Sequence, residues 1–200
     1  MPRYRLVPTA TQEAVLRDHC AHARFVWNLA VEQQSWWRPG RASAPGYLEQ
    51  CRQLTGARAG YPWLAAGSQM VQQQALRDFA QAMANYFGGT HDRPSWRKAG
   101  RDEGFRVVAV KPEHVRRLSR RTGEVWIPKA GWVRFRSSRV VPAGVKSYRV
   151  TREVLPGDDG PRRALACRLC GCSCSDPGAR QRGGRRHRPW RSCQRGPVDG

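Results

Sequence analysis

The sequence predicts an α+β fold: a small antiparallel β-barrel with an inserted three-helix bundle, followed by a disordered tail. Three observations carry this. Apolar residues recur every three or four positions between residues 10 and 88, the period of a helix face. Shorter runs alternate with period two at residues 3–7 and again between 105 and 151, as half-buried strands do. Past Arg152 neither period continues, and Gly, Pro and Arg dominate.

The elements follow in chain order. Arg3-Tyr4-Arg5-Leu6-Val7 alternates basic with apolar residues and meets Pro8, so it reads as a short strand. Thr9 and Gln12 have capping-box spacing, which starts a helix. Leu16, Cys20, Ala23, Trp27 and Ala30 share one face of it, and it runs to about Trp37, before Pro39-Gly40. A second helix is expected over residues 46–55, with Leu48, Cys51 and Leu54 inward. Tyr61-Pro62-Trp63-Leu64 reads as a turn. Ser68 is placed to cap a third helix, with Val71, Ala75, Phe79, Met83 and Tyr86 in step, and Gly88-Gly89 ends it. Strands are then expected at residues 105–110, 124–127, 131–136 and 146–151. The division is residues 1–10 as the first barrel strand, 11–90 as the helical bundle, 91–152 as the rest of the barrel and 153–200 as the tail.

Charge narrows the function. The 200 residues carry a formal charge of +21 and a pI near 11.2. Such a charge opposes compaction unless a polyanion balances it. Nucleic acid is the polyanion that fits. No apolar run approaches the roughly 20 residues that cross a bilayer, and the N-terminus lacks the apolar core of a signal peptide. The expected location is therefore the cytoplasm, in association with the nucleoid. There the seven cysteines would be reduced thiols rather than a disulfide framework.

Residues suited to nucleic acid cluster. On a strand, Val133 and Phe135 point one way and Trp132, Arg134 and Arg136 the other, an aromatic beside two guanidinium groups. The competing account is an edge strand kept soluble by arginine. Arg3, Tyr4 and Arg5 repeat the combination, as do Trp96, Arg97 and Lys98 in a turn-rich stretch after Pro94, with Arg101 and Arg106 close by. Lys146 and Arg149 add basic groups on the last strand. Arg24 and Asn28 lie four apart on the first helix, where Asn can read a base edge and Arg a phosphate or guanine; Asn28 can equally bond locally.

These segments together resemble the TnpB family, transposon-encoded relatives of type V CRISPR effectors. Tyr4-Arg5-Leu6-Val7-Pro8-Thr9 with Gln12 is similar to the family's "YRLYPT..Q" opening, and Ala23-Arg24-Phe25-Val26-Trp27-Asn28 to its "ARFVYNW" helix. Pro62-Trp63-Leu64 and Gln74-Ala75-Leu76-Arg77-Asp78-Phe79 resemble its "PWL" and "QALRDL" segments. Pro94 to Lys98 with Gly104-Phe105-Arg106 resembles "PRFKSK…SFR", and Trp126 through Arg136 resembles the "IPKLGWVRFR" hairpin. The likeness runs in order over about residues 3–152. It implies a β-barrel wedge domain interrupted by a helical recognition domain, followed by a RuvC-like nuclease domain with a zinc ribbon. It also implies binding of a guide RNA and double-stranded target DNA, and DNA cleavage with two magnesium ions.

Past Arg152 the family pattern is lost. The expected Gly-Val/Ile-Asp-x-Gly strand does not appear, and Asp158, Asp159, Asp176 and Asp199 lie in Gly/Pro/Arg-rich surroundings. Cys167, Cys170, Cys172, Cys174, His187 and Cys193 depart from the paired CxxC of a zinc ribbon. Eleven arginines and no lysine among residues 151–200 suit a GC-rich gene read out of frame. The expectation is thus a nucleic-acid-binding N-terminal part with helix-turn-helix-like character, no enzyme, no metal and no cofactor. Its expected partners are guide RNA and double-stranded DNA, with no membrane and no small-molecule substrate. The alternatives are an endonuclease completed by a separately encoded nuclease half, and a zinc-dependent DNA-binding module.

Overall fold

The computed structural model describes residues 3–40, 43–101, 103–137, 139–142, 144–155 and 162–170. Strand β1 (Arg3–Val7) leads into the long helix α1 (Ala10–Ser35), started by the expected box: Thr9 Oγ1 accepts from the Gln12 amide and Gln12 Oε1 from the Thr9 amide. Helices α2 (Tyr47–Gly60), α3 (Pro62–Ala66) and α4 (Gln69–Phe87) follow. Strands β2 (Gly104–Val108), β3 (Val115–Arg117), β4 (Thr122–Ile127), β5 (Gly131–Arg136), β6 (Ser147–Leu155) and β7 (Arg162–Cys170) complete the chain.

The α+β class is as expected, with three corrections. The strands form one antiparallel sheet in the order β2-β6-β7-β1-β5-β4-β3, and it is open: β2 and β3 are its edges and do not pair, so the barrel is not closed. The helices number four among the described residues rather than three, because Pro62 at the first position of α3 presets a helical φ and turns the expected Tyr61–Leu64 turn into a short helix. Residues 162–170, expected to be disordered tail, form β7 between β6 and β1. Leu165, Cys167 and Leu169 alternate into the core along it, and its two neighbouring strands supply the backbone partners that local sequence does not show. The segment 171–200, with most of the expected tail and its Cys172, Cys174, His187 and Cys193, lies outside the described residues.

The sheet is strongly curled. Four interstrand steps separate β6 from β4, about 19 Å if flat, yet the Tyr148 hydroxyl of β6 donates to the Trp126 carbonyl of β4 at 2.8 Å. The inner face holds Tyr4, Leu6, Phe105, Val107, Val125, Ile127, Val133, Phe135, Tyr148 and Val150, all buried. Tyr4 and Phe135 pack with ring centroids 5.1 Å apart.

The helices are tied to the sheet through the β4–β5 turn. Gln12 Nε2 donates to the carbonyls of Ala130 and Trp132, His19 Nε2 bonds the Pro128 carbonyl at 2.8 Å, and Lys129 Nζ reaches the Ala66 carbonyl. Because a carbonyl only accepts, His19 carries its proton on Nε2 and leaves Nδ1 buried without a partner. Burial lowers the His19 pKa below its ordinary 6.5. Helices α1 and α4 pack through Trp27 on Phe79, edge to face at 5.4 Å. In α2, Leu48 faces solvent and Gln50 is buried instead, because Gln50 bonds Gln33 of α1.

Candidate nucleic-acid interface

Opposite residues of an antiparallel pair lie on the same face, so the register shows what the outer face of the sheet carries. One row crosses four strands: Arg106 of β2 opposite Arg149 of β6, Arg149 opposite Arg168 of β7, and Arg168 opposite Arg3 of β1. Two residues along β1, Arg5 lies opposite Arg136 of β5. The next row places Val7 opposite Arg134, Arg134 opposite Glu124, and Glu124 opposite Arg116 of β3. Trp132 and Trp126 face each other beyond it.

Seven of the residues singled out from the sequence therefore share one surface: Arg3, Arg5, Arg106, Arg149, Trp132, Arg134 and Arg136. Arg3, Arg5, Arg134 and Arg136 are exposed, while Arg106, Arg149 and Arg168 are half-buried. Glu124, 7% exposed, organises the far end. Arg116 donates to its Oε2 from Nε and Nη2 at 3.0 and 2.7 Å, and Arg134 Nε donates to its Oε1 at 3.3 Å. The hydrogen bonds from Arg116 hold the Glu124 carboxyl below the usual carboxylate range against the cost of burial. Arg116 also stacks over the Trp132 ring at 4.0 Å.

A second basic group belongs to α1 and the loop before β2. Asn28 Nδ2 donates to the Arg97 carbonyl at 3.0 Å, and the Arg97 amide donates to Asn28 Oδ1 at 2.8 Å. Trp27 Nε1 donates to the Ser95 carbonyl at 2.9 Å, and the Arg97 guanidinium lies 3.8 Å over the Trp27 ring. The loop is thereby clamped at three points, and Trp96 between them is 54% exposed. Lys98 is exposed two residues on, and Lys146 is exposed just ahead of β6.

Three placements differ from the sequence reading. Tyr4 is 1% exposed, and its hydroxyl donates to the Val140 carbonyl at 2.9 Å; alternation on β1 sends it inward while Arg3 and Arg5 go out, so its ring cannot stack on a base. Arg24 pairs with Glu103, a 6%-exposed carboxylate that also takes Arg152 Nη1 at 3.1 Å; a buried carboxylate needs such countercharges, so Arg24 is engaged internally. Asn28 is spent on the Arg97 backbone and positions the loop rather than reading a base edge. Conversely, the structure adds Arg116 and Arg168 to this surface, two residues that the sequence reading does not include. For Arg168 a signal existed: Leu165, Cys167 and Leu169 have period two.

Among the described residues, no group of three His, Cys, Asp or Glu converges as a metal site, and no helix is long and apolar enough to cross a membrane. Of the cysteines that follow Arg152, Cys167 is buried in the core.

Comparison with known proteins bears on this surface. A model of a helix-turn-helix domain of the OrfB type (HTH OrfB IS605) matches residues 2–41, which hold β1 and α1. The chain is also similar to "Putative RNA-guided DNA endonuclease InsQ" of Escherichia coli (strain K12), 28% identical over 156 residues, or 75% of this chain and 37% of InsQ. The opening strand and long helix of the fold thus fall within a helix-turn-helix match, and the likeness to InsQ runs on well beyond it. Both findings support the resemblance to the TnpB family that the sequence motifs carry. The chain spans little more than a third of the relative it matches. This likeness overturns the expectation that the chain is no enzyme: the relative bears an endonuclease name, and the matched part is the smaller share of it.

Proposed function

We propose that the chain supplies the nucleic-acid-gripping surface of an RNA-guided DNA endonuclease, holding guide RNA and double-stranded target DNA. The supporting observation is the outer sheet face, where eight guanidinium groups (Arg3, Arg5, Arg106, Arg116, Arg134, Arg136, Arg149 and Arg168) share one surface with Trp132. Guanidinium forks match phosphate oxygens, and the half-buried Trp132 ring, with Arg116 over one face, lies beside them. The clamped loop offers a second point of contact through Trp96, Lys98 and Arg97. The name of InsQ supports the guide-RNA and DNA-cleavage parts of this reading.

Filter-binding titrations at two salt concentrations test it. A surface neutralising six to ten phosphates loses about 10³–10⁵ in affinity between 50 and 200 mM salt. Binding of RNA and duplex DNA that is flat across that range would remove the proposal. For the cleavage part, magnesium-dependent cutting of target DNA by the protein loaded with its guide RNA is the readout.

A further inference from the structure

We infer that Arg106, Arg149, Arg168 and Arg3 form a single track for one phosphodiester backbone, running across the strands, and that β7 completes it. The inference rests on the proposed nucleic-acid binding and assigns it a path. These four side chains occupy directly opposed positions on four consecutive strands, β2, β6, β7 and β1. Opposed side chains on one face have Cβ atoms only about 4.5–5.5 Å apart. The row is thus about 14 Å long over three interstrand steps.

Like charges directly opposite one another repel across a sheet. A polyanion laid along the row offsets that repulsion. A phosphodiester strand presents charge at a regular short repeat and fits a row one side chain wide. At the β2 end, Arg106 Nη1 also faces Asp78 of α4 at 3.6 Å, so that position grips less strongly. The middle of the track is Arg149 and Arg168, both half-buried, which lowers their freedom and the entropy cost of holding a phosphate.

Arg168 is the informative residue. It lies beyond the segment that resembles the family, yet the β6–β7 register from Ser147↔Cys170 to Leu155↔Arg162 sets it in line with the other three. Contacts of this kind are to phosphate, so they position a strand without reading its sequence.

The test uses Arg149→Gln, Arg168→Gln and Arg168→Lys in the full chain. Arg117→Gln serves as the control, since Arg117 is an exposed residue of β3 outside the row. The probes are a single-stranded RNA, a single-stranded DNA and a duplex DNA, each in two unrelated sequences. Each Gln variant is expected to weaken binding equally for both sequences and to lower the salt slope by about 0.7 for single strands or 0.9 for duplex. Over a fourfold salt range that is roughly a threefold smaller loss of affinity. Arg168→Lys should restore the slope, and the probe that loses most identifies the strand held. Thermal melts check that the variants fold; if either Gln variant does not, the Arg168→Lys and the remaining Gln variant still carry the comparison. Wild-type salt dependence with unchanged slopes in both Gln variants overturns the track alone. Absence of salt-dependent binding in the wild type overturns the broader proposal and the track with it.

Discussion

Replacing Asn28 with Ala removes both side-chain bonds that hold Arg97 to α1. Each is worth about 0.5–1.5 kcal/mol net, so the pair contributes about 1–3 kcal/mol. The Arg97 guanidinium would also lose its fixed place over Trp27, a contact worth about 0.5–1 kcal/mol at a partly exposed site. The loss falls first on the loop, because Trp27 still bonds the Ser95 carbonyl. The sharpest assay is therefore hydrogen exchange at the Arg97 amide, which donates to Asn28 Oδ1 at 2.8 Å. A local loss of about 1.4 kcal/mol speeds that exchange about tenfold. Asn28→Asp keeps the acceptor, so the Arg97 amide should stay protected while the bond to the Arg97 carbonyl is lost. Equal Arg97 exchange in wild type and Asn28→Ala would refute the clamp. So would equal exposure of both variants, because the account requires the acceptor oxygen to matter.

Further expectations follow from the same contacts. His19 is held neutral by burial, so the unfolded chain binds more protons below pH 6.5. Stability is full above that value and falls as pH drops toward the lowered folded pKa; a melt series from pH 7.5 to 5 should show this, and His19→Gln should flatten it. Glu103→Gln leaves Arg24 and Arg152 without their shared carboxylate, at a cost of about 3 kcal/mol. For a chain of this size that corresponds to a fall of roughly 6–12 °C in Tm, and an unchanged Tm would contradict the buried role of Glu103. Gly67→Ala would place a Cβ 2.2 Å from His22 Nδ1 and 2.5 Å from Gln72 Nε2, so urea titration should show a loss of about 1–3 kcal/mol. Burial pushes the Cys20 thiol up to about 12, so it should react with a thiol reagent only on unfolding.

The helical half was legible because its signals are local. Thr9 and Gln12 announced the start of α1, and Leu16, Cys20, Ala23, Trp27 and Ala30 are all buried as their spacing required. The β4–β5 hairpin was legible for the same reason: Val133 and Phe135 are buried and Arg134 and Arg136 are exposed. The family likeness added order to these pieces. It did not extend to β7, whose place between β6 and β1 depends on backbone partners far away in the chain.

Composition and period by themselves determined that this chain is strongly basic, α+β, and edged with arginine on alternating strand positions. They determined which face of each segment is apolar, since 3.6- and 2-residue periods are properties of neighbouring residues. Only the tertiary structure decided which arginines stand in line and which are consumed internally. Arg24 meets Glu103 across 79 positions and Arg3 meets Arg168 across 165, and register and ion-pair choice are set by such long-range contacts. The open sheet has the same origin: closure depends on whether β2 and β3 pair, and no local pattern carries that information.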